Sequence, residues 1–156
     1  MGYGPIETTI SIVLLALVVI GSFVYLGSDA GGAASGPPWL GVSGNALSPS
    51  IATTLNLKAQ HGFLIFTVEP NSPADKAGLR GGNEIVIIDN GGNQGQFMTG
   101  GDIITSIDGH EITQTNDVSS IIQSKKIGDT IDIDVIRNNG SHEVLKATLE
   151  GRPLGK

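Results

Sequence analysis

No cysteine occurs among the 156 residues of the chain. That absence excludes disulfide frameworks, thiolate zinc sites, iron–sulfur clusters and cysteine nucleophiles, and it leaves the redox compartment open. Positive charge is scarce as well: 9 Lys and Arg stand against 15 Asp and Glu, a formal net charge of −6. The only adjacent basic pair is Lys125-Lys126, so the electrostatic footprint that nucleic acid requires is missing. Aromatic residues make up 4% of the chain, too few for a base-stacking surface. Charged residues of both signs reach only 15%, whereas glycine occupies 23 positions. A chain of this length holds one domain of roughly 100 residues plus an appendage, with no room for two enzyme domains. Partners are therefore expected among peptides, proteins and lipid, and not among nucleic acids.

One long apolar run accounts for much of the low charge. Thr8 to Leu26 (TTISIVLLALVVIGSFVYL) carries no charged residue. At about 1.5 Å per helical residue it approaches the ~30 Å of bilayer hydrocarbon. Glu7 and Asp29 bracket it, Pro5 precedes it where a missing N–H costs little, and Tyr25 lies near one end. We read a short tail at 1–7 and a single-pass transmembrane helix at 8–27. A cleaved signal peptide is the alternative, since Ser28-Asp29-Ala30 resembles a cleavage site. Against it, no Lys or Arg occurs before Lys58, and the run exceeds the usual length of a signal-peptide core. The missing basic flanks also leave membrane topology undetermined by charge. Residues 28–38 (SDAGGAASGPP) are small, flexible and then proline-stiffened, a linker. The folded domain is expected at 39–153, followed by a tail at 154–156.

Within that domain the pattern is mixed. Trp39 to Ser43 reads as a short strand. Ser48-Pro49 supplies an N-cap and a first-turn proline for a short helix through Leu55. Phe63 to Val68 (FLIFTV) suits a central strand; Ser72-Pro73 caps a helix over Ala74 to Ala77 that ends at Gly78. Glu84 to Ile88 and Gln96 to Met98 flank a glycine-rich hairpin. Asp102 to Ile107 is a further strand, turned by Asp108-Gly109 into Glu111 to Thr113. Thr115 or Asn116 caps a helix to about Lys126, with Val118, Ile121 and Ile122 on one apolar face and Gly128 beyond its end. Thr130 to Arg137 alternates Ile131, Ile133 and Val135 with Asp132 and Asp134, and Asn139-Gly140 offers a type I′ turn into Ser141 to Leu149. Five or six short strands with two or three short helices make a small α+β domain, expected as a partly open β-barrel.

Trp39-Leu40-Gly41-Val42, Ser72 to Leu79 (SPADKAGL), Gly100-Gly101-Asp102-Ile103-Ile104, Ile107-Asp108-Gly109 and Gly128-Asp129, taken in this order, resemble a PDZ domain. The likeness is to the PDZ domains that follow the protease domain in HtrA-type serine proteases, and it covers about Trp39 to Pro153. It implies capture of an extended peptide C-terminus by β-augmentation, which needs a free strand edge, backbone N–H groups for the carboxylate and an apolar pocket. By resemblance Leu40-Gly41-Val42 is the carboxylate loop, where glycine permits a tight turn and successive N–H groups form an anion nest. Val42-Ser43-Gly44 is the accepting edge, with Gly44-Asn45 expected to cut it short. The helix Asn116 to Lys126 is the opposite wall, and Leu40, Val42, Val118, Ile121 and Ile122 form the pocket. The peptide-binding residues expected are thus Leu40, Gly41, Val42, Ser43, Val118, Ile121 and Ile122. No basic residue precedes the loop to assist a carboxylate. The resemblance also implies an extracytoplasmic domain.

Other chemistry is not supported. The protease domain of HtrA-type enzymes has no counterpart, since the apolar run and linker occupy its place. Gly41-Val42-Ser43-Gly44-Asn45 lacks the last glycine of a nucleophile elbow. His110-Glu111 is followed by Gln114 where a zinc helix needs histidine, and His61, His110 and His142 are far apart. Asp89 to Asn93 lacks calcium-loop spacing, Gly91 to Gly95 lacks the Lys-Ser/Thr of a phosphate loop, and Asp132 and Asp134 share a wet strand face. Asn139-Gly140-Ser141 is a glycosylation sequon on a turn. No catalytic residue, metal or cofactor is expected. The reading is a non-catalytic, membrane-anchored adaptor that binds peptide C-termini or exposed strands. The alternatives are a structural accessory subunit of a larger membrane complex and a regulatory partner of a separate HtrA-type serine protease.

Overall fold

The computed structural model describes residues 36–90 and 93–154. The segment expected to cross the membrane, 8–27, the tail before it and nearly all of the linker lie outside the described residues. Among the described residues no helix is long and apolar enough to cross a membrane.

In chain order the elements are β1 (Pro38–Trp39), β2 (Val42–Leu47), α1 (Pro49–Thr54), β3 (Gly62–Val68), α2 (Pro73–Ala77), β4 (Glu84–Asn90), β5 (Asn93–Thr99), β6 (Ile103–Ile107), β7 (His110–Glu111), α3 (Thr115–Ser124), β8 (Thr130–Ile136), β9 (His142–Thr148) and β10 (Glu150–Gly151). The main sheet runs β2-β3-β6-β8-β9, with β7 added on β6. β1 pairs with β10 and β4 with β5 in two separate ribbons. The sheet is not closed into the expected barrel. β2 and β9 end the path, and β2 has α3 beside it instead of another strand, through an Ala46 N–H to Thr115 Oγ1 bond of 3.1 Å.

The composition of β3 explains where the core sits. Phe63, Leu64 and Ile65 are consecutive and all buried, so both faces of the sheet are covered there. On one face Phe63 and Ile65 join Leu40, Ile104, Ile107, Ile112, Val118, Ile122, Ile131 and Ile133. On the other, Leu64 meets Leu47, Ala52, Ala59, Ile103 and Ile136 beneath α1. β8 shows the expected alternation, with Ile131, Ile133 and Val135 buried and Asp132 and Asp134 half-exposed.

Local chemistry sets the helix ends. Ser48 Oγ accepts the Ile51 N–H at 3.4 Å, and Ser72 Oγ accepts the Asp75 N–H at 3.2 Å, as the Ser-Pro pairs predict. α3 starts one residue earlier than Thr115 as a cap would place it. Its N-cap is Gln114, because the Asp117 carboxylate reaches back to the N–H groups of Gln114 at 2.7 Å and Thr113 at 2.8 Å. It also stops at Ser124, since Lys125 turns extended, with ψ 176°. Trp39 to Ser43 is two strands, not one, broken at Leu40-Gly41. The last hairpin is not type I′: Arg137 N–H to Ser141 O and Gly140 N–H to Arg137 O, both 2.8 Å, make a type I turn completed by left-handed Gly140.

One buried ion pair ties three of these pieces together. Arg137, following β8, places Nη1 2.5 Å from Asp102 Oδ2 and 2.9 Å from Gly78 O, and Nη2 2.7 Å from Glu143 Oε2. Asp102 Oδ2 also accepts the Arg80 N–H at 2.8 Å. Removing Asp102 leaves the shielded Arg137 guanidinium with only Glu143 and Gly78 O, and strands the Arg80 N–H as well. Asp102→Ala is therefore expected to cost about 3–5 kcal/mol, and loss of the exposed Lys146–Asp132 pair by Lys146→Ala about 0–1 kcal/mol, measured by urea unfolding.

The carboxylates also predict an acid limit. Arg137's hydrogen bond lowers Glu143 below the usual carboxylate range; Lys125 and then the Asp132 N–H lower Asp108; the Thr113 and Gln114 N–H groups lower Asp117. As the pH falls, the unfolded chain takes up these protons before the folded one does. Stability is then full above the ordinary values of 4.5 for Glu and 3.8 for Asp and declines below them. Thermal melts should show a level Tm down to about pH 5 and a progressive fall below it, shallower in Glu143→Gln.

Candidate functional site

The turn between β1 and β2 is built from two residues whose carbonyl groups are bonded inward. Leu40 O accepts the Ala74 N–H at 2.9 Å, and Gly41 O accepts the Glu69 N–H at 2.8 Å. The Leu40 side chain is buried in the main core. Among the described residues no acceptor meets the Leu40 or Gly41 N–H. Successive free N–H groups beside a left-handed residue, Gly41 at φ +87°, form a concavity suited to an anion.

The turn opens on a cavity of 360 Å³ between β2 and α3. Leu40, Phe63, Val118 and Ile122, all core residues, give it an apolar floor. Thr115, Asn116, Ser119 and Gln123 present a neutral polar wall along α3, and Pro37, Pro38, Trp39 and Arg152 complete the end beside the turn. The size and apolar lining suit a side chain or short peptide segment.

Of the residues expected from sequence, Leu40, Gly41, Val42, Ser43, Val118 and Ile122 line this one cavity. Ile121 does not. It lies on the other flank of α3, in an open depression with Asp117, Ser120 and Lys125. The reason is helical phase: positions 115, 118/119 and 122/123 repeat on the groove side, and 121 falls with 117 and 120/124. Ser119 and Gln123 were legible from that same period once Thr115 marked the helix start. Phe63 and Arg152 were not, because only sheet pairing brings β3 and the end of β10 to this place.

β2 continues through Gly44-Asn45 to Leu47, so the accepting strand is not cut short by these residues. Its edge is closed differently. Thr115 Oγ1 donates to Asn45 Oδ1 at 2.6 Å and accepts the Ala46 N–H at 3.1 Å, which stitches β2 to the start of α3. The edge left for an incoming strand is Val42 to Gly44. The three histidines are exposed and separate, and among the described residues no cluster of His, Asp and Glu is arranged for a metal ion.

The PDZ domain family profile matches residues 38–148. The chain belongs to the PDZ domain family. Over 115 residues, 74% of this chain, it is 30% identical to a probable periplasmic serine endoprotease DegP-like of Marinomonas sp. (strain MWYL1). Over 93 residues, 59% of this chain, it is 34% identical to Protease Do-like 1, chloroplastic, of Arabidopsis thaliana. It spans only 20% and 19% of those relatives. Among solved structures it resembles the HtrA-type protease AlgW with decapeptide, at TM-score 0.56 and 27% identity, covering 91% of this chain and 36% of that one. The HtrA3 PDZ domain bound to a phage-derived ligand (FGRWV) shares the fold at TM-score 0.53 and 17% identity, covering 72% of this chain and 85% of that one. The PDZ domain here thus resembles those of HtrA-type proteases, in line with the loop and the Ser72-to-Leu79 segment.

Gly41 is the position on which the PDZ loop geometry turns. A Cβ there would lie 2.2 Å from Ser72 Cβ and 3.1 Å from Trp39 Cζ2, and the backbone is left-handed. Gly41→Ala should therefore destabilise by about 2–4 kcal/mol, from left-handed strain plus overpacking. Gly109→Ala, left-handed with open space around it, should lose only the strain, about 1–2 kcal/mol; parallel urea titrations compare the two.

Proposed function

We propose that this chain is a membrane-anchored PDZ adaptor without catalysis of its own, which binds peptide C-termini or exposed strands of partner proteins. The observation that carries the reading is the apolar cavity beside the Val42-to-Gly44 edge, ended by two N–H groups at Leu40-Gly41 that meet no acceptor among the described residues. A peptide entering there adds a strand to β2, places its carboxylate at the turn and lowers its last side chain onto Val118 and Ile122. The related AlgW, with its decapeptide, supports peptide binding, and the HtrA-type PDZ fold supports the placement.

The charge-free run at 8–27 supports the anchor, and the periplasmic relative supports an extracytoplasmic domain. Affinity for a lone peptide is expected near micromolar, about −8 kcal/mol, because one short added strand and one pocket barely exceed the ordering cost. Tethering then raises the effective concentration of a partner at the membrane.

A second reading, a structural accessory subunit, is favoured by one feature. Ile85 and Ile87 are 63% and 59% exposed on the β4–β5 ribbon, away from the groove. A partner docking there would leave the groove unused.

The test is fluorescence anisotropy on the full chain in neutral detergent, with peptides carrying free or amidated C-termini. Free termini should bind more tightly, and Ser119→Trp, an exposed wall position, should abolish binding without lowering Tm. Because the Asn45–Thr115 stitch closes the edge at Ala46, extending a peptide beyond about four residues should gain little, and Thr115→Ala should restore a length dependence. Binding that ignores the terminus and survives Ser119→Trp would favour the accessory reading. Alkaline extraction of membranes and N-terminal sequencing of the isolated protein test the anchor against a cleaved signal.

A further inference from the structure

The cavity at the β1–β2 turn holds one charged side chain among its lining residues, and it is Arg152. The chain carries a net charge of −6, so a cation at this spot is not a statistical expectation of its surface. Its backbone is held firmly. β1 and β10 pair Pro38 with Gly151 and Trp39 with Glu150, and the Arg152 N–H donates to Pro37 O at 3.0 Å. The two segments are so close that a Cβ on Gly36 would lie 2.6 Å from Arg152 O. Arg152 is thus fixed beside the residues that lead directly into the Leu40-Gly41 turn.

Its nearest acidic neighbour along the strand is otherwise engaged. Glu150 Oε1 is 2.5 Å from Lys76 Nζ, and among the described residues Arg152 takes part in no ion pair. An exposed guanidinium with no ion-pair partner among the described residues, lining the same cavity as the Leu40-Gly41 turn and its apolar floor, matches the needs of a single carboxylate. Backbone groups supply direction, and the guanidinium supplies the full charge that a neutral nest lacks.

We propose that Arg152 is the cationic partner of the bound peptide's terminal carboxylate, so that the anion is clamped between the two ends of the domain, the β1–β2 turn and the residue after β10. This rests on the groove being a C-terminus site, and it specifies how the site selects. Ligands with a free carboxylate are preferred over amidated or internal segments chiefly through Arg152, and the preference weakens as salt screens it.

The experiment uses the full chain in neutral detergent and a random-pentapeptide array made with free and with amidated C-termini, followed by solution titration of the tightest binders. The wild type should prefer the free terminus, and Arg152→Gln should reduce that preference roughly ten-fold while leaving affinity for the amides unchanged. Arg152→Lys should recover part of the preference, and the salt dependence of free-terminus binding should flatten in Arg152→Gln. Equal Tm values for the variants separate the effect from a loss of fold. A preference that is intact in Arg152→Gln overturns the proposal and leaves the groove as a C-terminus site. Absence of any terminus preference in the wild type overturns both.

Discussion

Gly41 wedged against Ser72 is the contact on which the site depends. Ser72 is fully buried and caps α2, and the Gly41 and Leu40 carbonyl groups are bonded to Glu69 and to Ala74 of that same helix and its approach. With the carbonyls fixed inward, the two N–H groups meet no acceptor among the described residues, and both residues line the cavity. A side chain at that point is strained, because the backbone is left-handed and the Cβ would press into Ser72. The inward bonding of the turn is therefore tied to how α2 is capped, and the stability of the turn and the proposed carboxylate site meet at one glycine.

An open sheet is the second condition. Had β2 closed onto β9, its edge would have been consumed by a ladder and nothing could add to it. Instead the edge stands free from Val42 to Gly44 and is then stitched to α3 by Asn45 and Thr115. The molecule leaves a short segment of strand exposed and covers the rest, which limits promiscuous edge pairing. The Arg137–Asp102–Glu143 ion cluster lies apart from this groove and holds the far side of the sheet, so stability there and binding here are separable.

Much of this was legible in the residues. The Ser-Pro caps of α1 and α2, the left-handed Gly78, the Ile-Asp alternation of β8 and the Leu40-Gly41-Val42 turn are local signals, and each reads directly. What escaped depends on distant pairing or on phase. The cap of α3 shifted because Asp117 folds back on Gln114; Ile121 left the groove because its phase on the helix puts it on the flank of Asp117 and Ser120, while Val118 and Ile122 face the groove. Phe63 and Arg152 reach the cavity through β3 in the sheet and the β1–β10 pair, which no spacing along the chain announces. The order of short motifs identified the PDZ fold where their individual chemistry did not.

The central claim is that a peptide terminus is held at the β1–β2 turn against α3. Backbone amide chemical-shift mapping of the full chain in detergent, as a free-terminus peptide is added, tests it most directly. The account predicts the largest shifts at Leu40 to Gly44 and along Thr115 to Gln123, with the β4–β5 ribbon unmoved. Shifts concentrated at Ile85 to Met98 with a silent Leu40-Gly41 turn would contradict it.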